Sequence, residues 1–314
     1  MEKKLMESRL LDATGSVFFA RQLEAVKAGT FDVQYADLPW RSLFPTSTGV
    51  HPGATSITYR TYDQTGTAAI INDYAQDLPR ADVAGKETTH PVRTLASSFG
   101  YSQKEIKSSQ MAGWPLDQKR SMAARRALEE KMNYITFNGD SATSLPGLLS
   151  NSEIPAGNVS VGGSGTATWA TKTPDEILYD INYFGGLIYE NSKGKERPNT
   201  ILLPLAQWSH IMATPRSGGS DMSIAKWITS NSPWITSLSS IVAVNEMASC
   251  GPDGAGDCFL LYDKSPSKLA LEIVEDITFH PVQEKALSFV VPVTAEFGGL
   301  HVYYPLSLYL VEDI

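Results

Sequence analysis

Cysteine and histidine are scarce in this chain of 314 residues. Its two cysteines, Cys250 and Cys258, flank the loop-like sequence GPDGAGD, and its five histidines never fall within metal-ligand spacing of one another. The sequence therefore predicts no metal site and no disulfide scaffold. The two cysteines are expected to be reduced thiols, with a local disulfide between them as the alternative.

Long apolar runs are also missing. Every apolar stretch is interrupted by Ser, Thr, Pro or a charged residue well before ~18 residues, the length that indicates a membrane-spanning helix. The N-terminal sequence MEKKLMESRLLDATGS lacks the uninterrupted apolar core of a secretory signal peptide. No membrane partner is expected.

Catalytic signatures are absent as well. The sequence has no G-x-S-x-G elbow, no H-E-x-x-H and no G-x-G-x-x-G that opens a helix. The sequence GKET at 85–88 resembles the end of a phosphate-binding loop, but Arg80 stands where that loop needs its first glycine, so chance explains the match better. We predict that the chain is not an enzyme and binds no cofactor, although an active site assembled from distant residues stays open.

The sequence also lacks any cluster of charges of one sign. The net charge is -8, and no run of five like charges occurs, so the chain lacks the electrostatic footprint of tight nucleic-acid binding. A mildly acidic balance is ordinary among globular proteins, and the apolar fraction of 42% is enough for a sizeable core.

The strongest positive pattern lies in residues 102–151. Ser102 and Glu105 have the spacing of a capping box, which predicts a short helix that ends at Gly113. A second helix is predicted from Pro115 to Phe137, because nothing in that stretch breaks it. One face of this long helix carries the apolar residues Ala124, Leu128, Met132 and Ile135.

A pair of strands is predicted upstream of the helices. Ser56 to Gln64 alternates in the manner of a strand, and Ala68 to Tyr74 is predicted to pair back with it. Asp77 to Pro91 is then a polar tip, followed by a further strand from Val92 to Phe99. Such an arm is too thin to bury its own faces, so it needs a partner surface.

The N-terminal part of the chain contains a predicted helix from Ser16 to Lys27 and then an irregular apolar segment from Gly29 to Gly49. About twenty residues of irregular chain that carries apolar side chains without periodicity are unusual inside a compact domain. We therefore expect the segment to pack on another molecule, with a strap over its own core as the alternative.

The remaining chain reads as helices around a central sheet, an α+β pattern. A second capping box at Thr173 opens a helix whose buried face includes Ile177 and Ile188, and which ends near Gly194. Further helices are predicted at Pro204–Ala213 and Ser220–Thr229. Further strands are predicted at Asn199–Leu203, Ile235–Val244, Cys258–Tyr262 and Leu269–Val274. A C-terminal hairpin is predicted to turn at Gly298 and Gly299.

The order of these parts resembles a known family. The long helix followed by Gly139-Asp140 and the sequence LPGLL at 145–149, together with the upstream segment from Leu43 to Val83, is similar to tailed-bacteriophage major capsid proteins of the Hong Kong 97 type and to the related encapsulin shells. The resemblance covers most of the chain and is weakest between about Asn158 and Ser240.

The resemblance implies an architecture with named parts. It implies an N-terminal arm over 1–50, an extended β-hairpin loop over 51–100, a spine helix and peripheral domain over 101–157, an axial domain over 158–275, and a C-terminal return to the peripheral domain over 276–314. The arm and extended loop would lie on neighbouring subunits, and the axial domain would surround the pentamer and hexamer centres.

The resemblance also implies a function. Copies would assemble into pentamers and hexamers of an icosahedral phage or prophage head around double-stranded DNA, which they would contact without sequence specificity. The chain would work with a separate scaffolding protein, a portal and, in some heads, a decoration or cement protein, within a virion assembled in the bacterial cytoplasm. An encapsulin-like shell around an enzyme is the alternative, and an α/β enzyme is a third.

The residues that the resemblance places at contacts between copies lie in the arm and extended loop: Phe31, Tyr35, Trp40, Phe44, Ile57, Tyr59, Arg60, Tyr62, Arg80 and Lys86. The spine-helix residues of interest are Arg120, Arg125, Leu128, Glu129, Met132 and Ile135. Some members of the fold cross-link an extended-loop lysine to an asparagine of another subunit. Lys86 is placed near the loop tip, but no catalytic carboxylate is identified, so no cross-link is predicted.

Overall fold

The computed structural model of this chain describes residues 35–70, 79–112, 116–251 and 256–314. The predicted helix at Ser16–Lys27 and the predicted contact residue Phe31 lie outside these ranges, as do the predicted helix boundaries at Gly113 and Pro115.

The described part of the chain contains helices and strands in mixed order. The helices are α1 Trp40–Leu43, α2 Gln103–Ala112, α3 Leu116–Asn138, α4 Pro174–Asn191, α5 Leu205–Ala213 and α6 Ile224–Asn231, and short 3-10 turns lie at Leu238–Ser240, Asn245–Met247 and Pro305–Ser307. The strands are β1 Thr46–Ser47, β2 Ser56–Thr65, β3 Asp82–Pro91, β4 Arg93–Ser102, β5 Ala156–Asn158, β6 Thr200–Leu203, β7 Ile241–Ala243, β8 Phe259–Tyr262, β9 Leu269–Phe279, β10 Gln283–Lys285, β11 Ser288–Val302 and β12 Leu308–Glu312. Within these ranges, no helix is both long and apolar enough to cross a bilayer.

The first sheet is built around the long strand β11. In the order β1-β9-β11-β10, β11 pairs antiparallel with β9 and β10, and β4 also pairs with β11. The predicted tight turn at Gly298 and Gly299 is wrong, because the strand continues through both glycines. Its register against β9 shifts there instead, and Gly299 adopts φ +89°, so the pair forms a β-bulge.

The spine helix α3 packs on this sheet. Ala124, Leu128, Met132 and Ile135 are all at most 5% exposed, which confirms the apolar face predicted from their spacing. They share a core with residues of β9 and β11, including Phe297. From Ala124 to Ile135, α3 therefore packs on the first sheet.

The sequence LPGLL after the spine helix has a structural reason. The amides of Leu148 and Leu149 donate to the carbonyls of Thr136 and Phe137 at 2.9 and 2.8 Å, so the loop folds back and satisfies the last carbonyls of the helix. A Cβ at Gly147 would lie 2.0 Å from the backbone nitrogen of Gly139. Only glycine permits this approach.

The second sheet has the order β5-β12-β8-β6-β7, and its central strands β6 and β8 are buried on both faces. Leu202 and Leu260 belong to the core that contains the spine helix. Ile201 and Leu261, their sequence neighbours, belong to a second core beneath α4, α5 and α6. One sheet thus separates two cores and contributes to each.

The helix layer over the second sheet follows its sequence signals closely. Thr173 and Glu176 form the predicted capping box, and the positive φ angles of Lys193 and Gly194 follow the end of α4. Helix α6 begins at Ile224 rather than Ser220, because the hydroxyl of Ser223 accepts from the amide of Lys226 and caps the first turn.

Three further predictions differ from the structure. The strand predicted at Ile235–Val244 shrinks to Ile241–Ala243, since a 3-10 turn occupies Leu238–Ser240. The domain boundary predicted at 275/276 falls inside β9. Within the predicted C-terminal return over 276–314, β11 shares a core with the spine helix, whereas β12 joins the second sheet.

The two cysteines are joined. Cys250 and Cys258 form a disulfide with their Cα atoms 6.0 Å apart, whereas the sequence predicted two reduced thiols. The amide of Cys258 donates to the carbonyl of Met247 at 3.0 Å, which holds Cys258 close to the segment that carries Cys250.

Helix α2 is tied to the spine helix by an ion pair. The predicted capping box is present, with the amide of Glu105 donating to Ser102 Oγ at 3.1 Å and the amide of Ser102 donating to Glu105 Oε2 at 3.0 Å. Arg120 on α3 donates to Glu105 at 2.9 Å. The Arg120 hydrogen bond, followed by the Ser102 amide, lowers the pKa of Glu105 to about 2.

Two adjacent glycines in α4 allow a matched test of packing. A Cβ on Gly185 would lie 2.4 Å from Trp234 Cδ1, whereas a Cβ on Gly186 would meet no atom within 4 Å. We expect Gly185→Ala to lower the free energy of unfolding by about 1–3 kcal/mol through overpacking. Gly186→Ala should raise it by about 0.5–1 kcal/mol, because alanine restricts the unfolded chain. Urea denaturation measures both, and equal effects would contradict the packing described.

The ion pair between helices gives a second prediction. In Arg120→Gln, the pKa of Glu105 should rise from about 2 toward its ordinary 4.5, as followed by NMR of the carboxyl carbon. Because the folded-state pKa is depressed, the stabilisation that Glu105 gives is present above about pH 4.5 and is lost as the pH falls toward 2. Arg125→Gln is the control, since Arg125 pairs with Glu129. An unchanged Glu105 pKa in Arg120→Gln would refute the assignment.

Candidate assembly surface

Strands β2 and β3 form a hairpin that makes a two-stranded sheet of its own. Ten residue pairs run from Ser56 opposite Pro91 to Thr65 opposite Asp82. At about 3.4 Å per residue, the hairpin is roughly 34 Å long. Ala68–Tyr74 was predicted to be the partner of β2, and residues 71–74 of that stretch lie outside the described ranges. The partner of β2 is instead β3, which was predicted to be a polar tip, so the predicted pairing is wrong.

Cross-strand side-chain pairs account for this register. Thr58 Oγ1 lies 2.8 Å from Thr89 Oγ1, and Arg60 Nε donates to Glu87 Oε1 at 2.7 Å. Pairs of these types stabilise antiparallel neighbours by about 0.2–1 kcal/mol each. A polar composition is therefore compatible with a strand here, and the register follows from which side chains face each other.

The root half of the hairpin touches the body of the subunit. Ile57, Tyr59 and Thr61 are half-buried and alternate with exposed residues along β2. A Cβ built on Gly298 would lie 3.0 Å from Ile57 Cδ1, so β2 lies against the bulge of β11. The hydroxyl of Tyr59 donates to the carbonyl of Val302 at 3.4 Å.

The distal half of the hairpin is exposed on both faces. Every described residue of 62–70 and 79–87 is exposed, among them Tyr62 at 68% and Val83 at 56%. The ring of Tyr62 lies beside Gly85 on the other strand, where a Cβ would be 3.4 Å from it. Arg80 is also exposed. The described subunit supplies no surface that covers these apolar side chains.

Lys86 lies midway along the hairpin rather than near its tip, since it pairs with Thr61. Its Nζ is 3.5 Å from Glu153 Oε1, and both side chains are more than half exposed. Exposed ion pairs contribute little, about 0–1 kcal/mol. This contact is therefore a weak brace between the hairpin and the loop that carries Glu153.

Two of the predicted contact residues lie inside the subunit. Trp40 and Phe44 are each 1% exposed, with Trp40 edge-on to Phe297 and Phe44 near Phe137 and Tyr262. A side chain this buried has no surface left for a neighbouring copy. The expectation that both lie at a contact between copies is thus wrong, and the alternative of a strap over the chain's own core is correct for these two residues. Tyr35 is 64% exposed.

The predicted spine-helix residues divide into two groups. Leu128, Met132 and Ile135 are buried in the core, so they hold the helix in place. Arg125 and Glu129 form an i,i+4 pair at 3.1 Å on the outer side. Arg120 donates to Glu105 and to the carbonyl of Gly100, so it also serves the subunit's own structure.

One ion pair between distant segments could not be predicted from the sequence. Arg41, on α1, donates two hydrogen bonds to the carboxylate of Asp276, on β9, at 2.5 and 3.1 Å. The Arg41 hydrogen bond is the main cause that lowers the pKa of Asp276. The residues are 235 positions apart, so only the fold brings them together.

The arrangement suits contact between molecules. Across the described ranges, no group of three or more His, Cys, Asp or Glu side chains is placed to hold a metal ion. The prominent exposed feature is instead the two-sided distal hairpin, which projects apolar side chains from an arm without a core of its own.

Comparisons with known proteins agree with this geometry. The structure of the capsid of Myoviridae phage XM1 matches with a TM-score of 0.82 at 17% identity, covering 96% of this chain and 100% of that one. The capsid of a native GTA particle matches with a TM-score of 0.64 at 13% identity, covering 95% and 99%. A virus-like particle from Pyrococcus furiosus matches with a TM-score of 0.57 at 13% identity, covering 86% and 91%.

At such identities these structures show the fold, which is the mixed helix and sheet fold of Hong Kong 97-like phage capsids. No curated protein matches the sequence. A family model described as "Major capsid protein" matches residues 66–314, which is most of the chain. The chain belongs to the major capsid protein family.

Proposed function

We propose that copies of this chain assemble into pentamers and hexamers, and that these close an icosahedral phage or prophage head around double-stranded DNA. The observation that carries the proposal is the distal hairpin, which exposes Tyr62 and Val83 on an arm with no core. An isolated two-stranded hairpin is marginal in water. A second copy of the chain is the surface that would cover it.

The body of the subunit supports this role as a rigid plate. The second sheet contributes side chains to two cores, and the spine helix spans the first sheet. Close-packed interiors transmit force with little deformation. Contacts made by the hairpin would therefore join one stiff plate to the next, and the buried area would be repeated at every symmetric contact.

The charge of the chain suits loose contact with DNA. With a net charge of -8, the chain does not offer the dense cationic surface that holds phosphates tightly. A mildly acidic wall would let packaged DNA slide. The proposal includes three partners, namely a separate scaffolding protein, a portal and a decoration or cement protein. It also includes assembly in the bacterial cytoplasm and no enzymatic activity. These parts of the proposal rest on membership of the major capsid protein family.

An encapsulin-like shell around an enzyme is the second candidate. The observation in its favour is the similarity to the virus-like particle from Pyrococcus furiosus, at a TM-score of 0.57. The match to the phage XM1 capsid is better, at 0.82. The phage head is therefore the first proposal.

Expression of the full chain alone separates these candidates. Purified material is examined by sedimentation velocity and by negative-stain electron microscopy. Open sheets, or shells that become uniform only with a scaffolding protein, are expected for a phage head. Uniform closed particles that copurify with an enzyme would favour the encapsulin-like alternative. A stable monomer or dimer at all concentrations would overturn both shell proposals.

A charge on the distal hairpin tests its role in assembly. Tyr62→Asp should reduce assembly at least ~10-fold by sedimentation, because a carboxylate would have to be buried against the neighbouring copy. The circular dichroism and melting temperature of the subunit should change little, since Tyr62 is 68% exposed. Tyr62→Phe keeps the ring and is the matched control. Normal assembly of Tyr62→Asp would contradict the proposed contact.

A further inference from the structure

Four aromatic rings meet where the hairpin joins the body. The ring of Tyr59, on β2, has its centroid 5.9 Å from His90, 6.0 Å from His301 and 5.0 Å from Tyr303. The two imidazoles lie 4.6 Å apart. His90 belongs to β3 and His301 to β11, so this pair joins the hairpin directly to the first sheet.

The environment of the pair disfavours charge on either imidazole. His301 is 0% exposed; its Nε2 lies 3.2 Å from the carbonyl of Gly298, and its Nδ1 has no hydrogen-bond partner among the described residues. His90 is half-buried beneath Tyr59. A second positive charge at 4.6 Å would repel the first, and the burial of His301 weakens the screening by water.

Charged groups surround the pair on several elements. On β3, Lys86 lies 3.5 Å from Glu153, whose charge raises the pKa of His90. On β9, Glu272 is 3% exposed and accepts a 2.9 Å hydrogen bond from the hydroxyl of Tyr303. On the spine helix and the loop after it, Lys131, Tyr134 and Asp140 line the same surface cavity as His90.

Burial outweighs these carboxylates. It is the largest cause that lowers the pKa of His301 to about 4, with His90 adding to it and the Gly298 carbonyl opposing it. Burial also lowers the pKa of His90. Both imidazoles are therefore neutral at neutral pH.

We propose that His90 and His301 form a proton-sensitive latch, in which the neutral pair packs the hairpin root against β11 and protonation in mild acid releases it. Release would separate Tyr59 from the body and let water reach His301, which is fully buried in the closed state. The helix layer over the second sheet would stay folded, because the core beneath it contains no residue of β2, β3 or β11.

The direction of the pH effect follows from the two states. A histidine whose pKa is depressed when the latch is closed favours the closed state above its ordinary value of 6.5, and this preference is lost as the pH falls toward 4. Between about pH 7.5 and about pH 5, His301 alone would favour opening by roughly 30-fold. The consequence for a shell rests on the proposed function, since the released hairpin is the proposed link between copies.

Hydrogen exchange of the full chain, kept unassembled at low concentration, tests the latch. Protection factors, corrected for the intrinsic effect of pH, are compared at about pH 7.5 and about pH 5 for peptides of β2 and β3. We expect hairpin protection to fall by at least ~10-fold, while protection of α4 changes less than ~2-fold. Equal protection of the hairpin at both pH values would overturn the proposal.

Variants separate the latch from general acid sensitivity. In His90→Asn/His301→Asn, hairpin protection should no longer depend on pH; if this variant does not fold, His90→Asn alone should reduce the dependence. His51→Asn is the control, because His51 is exposed and apart from the cluster. A full pH response in the folded histidine variants would refute the latch. Since exchange is read on unassembled subunits, a failure of shell assembly is a separate result.

Discussion

A hairpin of two strands cannot bury either of its faces, and this constraint organises the molecule. The root of the hairpin is held by Tyr59 and Ile57 against β11, but from Tyr62 outward both faces meet solvent. Folding alone offers no compensation for Val83 and Tyr62 on the outer half. In the proposed assembly, the arm is therefore stabilised by contacts with other copies, whereas the body is stabilised by contacts within one copy.

The body meets the opposite requirement. The strands β6, β8 and β12 form a sheet with a core on each face, so a displacement of one layer would disturb the packing of the other. The loop after the spine helix adds to this by returning its amides to the last helical carbonyls. In the proposed assembly, a stiff body with a projecting arm would let many weak, identical contacts define one shell geometry.

Local rules predicted the parts of the fold that local chemistry decides. The capping boxes at Ser102 and Thr173 and the buried face of the spine helix follow from spacing alone, and all three are confirmed. Non-local contacts decided the rest. The partner of β2 was predicted wrongly because strand pairing depends on which side chains face each other. The burial of Trp40 was also predicted wrongly, because an aromatic residue gives the same sequence pattern whether it packs inside its own subunit or on a neighbouring one. The pairing of His90 with His301 is visible only in three dimensions.

Electron cryomicroscopy of assembled particles tests the central claim most directly. The quantity to measure is the solvent exposure of Tyr62 and Val83 in the particle, which in the single subunit is 68% and 56%. The account predicts that both side chains become buried against another copy of the chain. Particles in which the outer half of the hairpin remains in solvent, with the copies joined entirely through other surfaces, would contradict it.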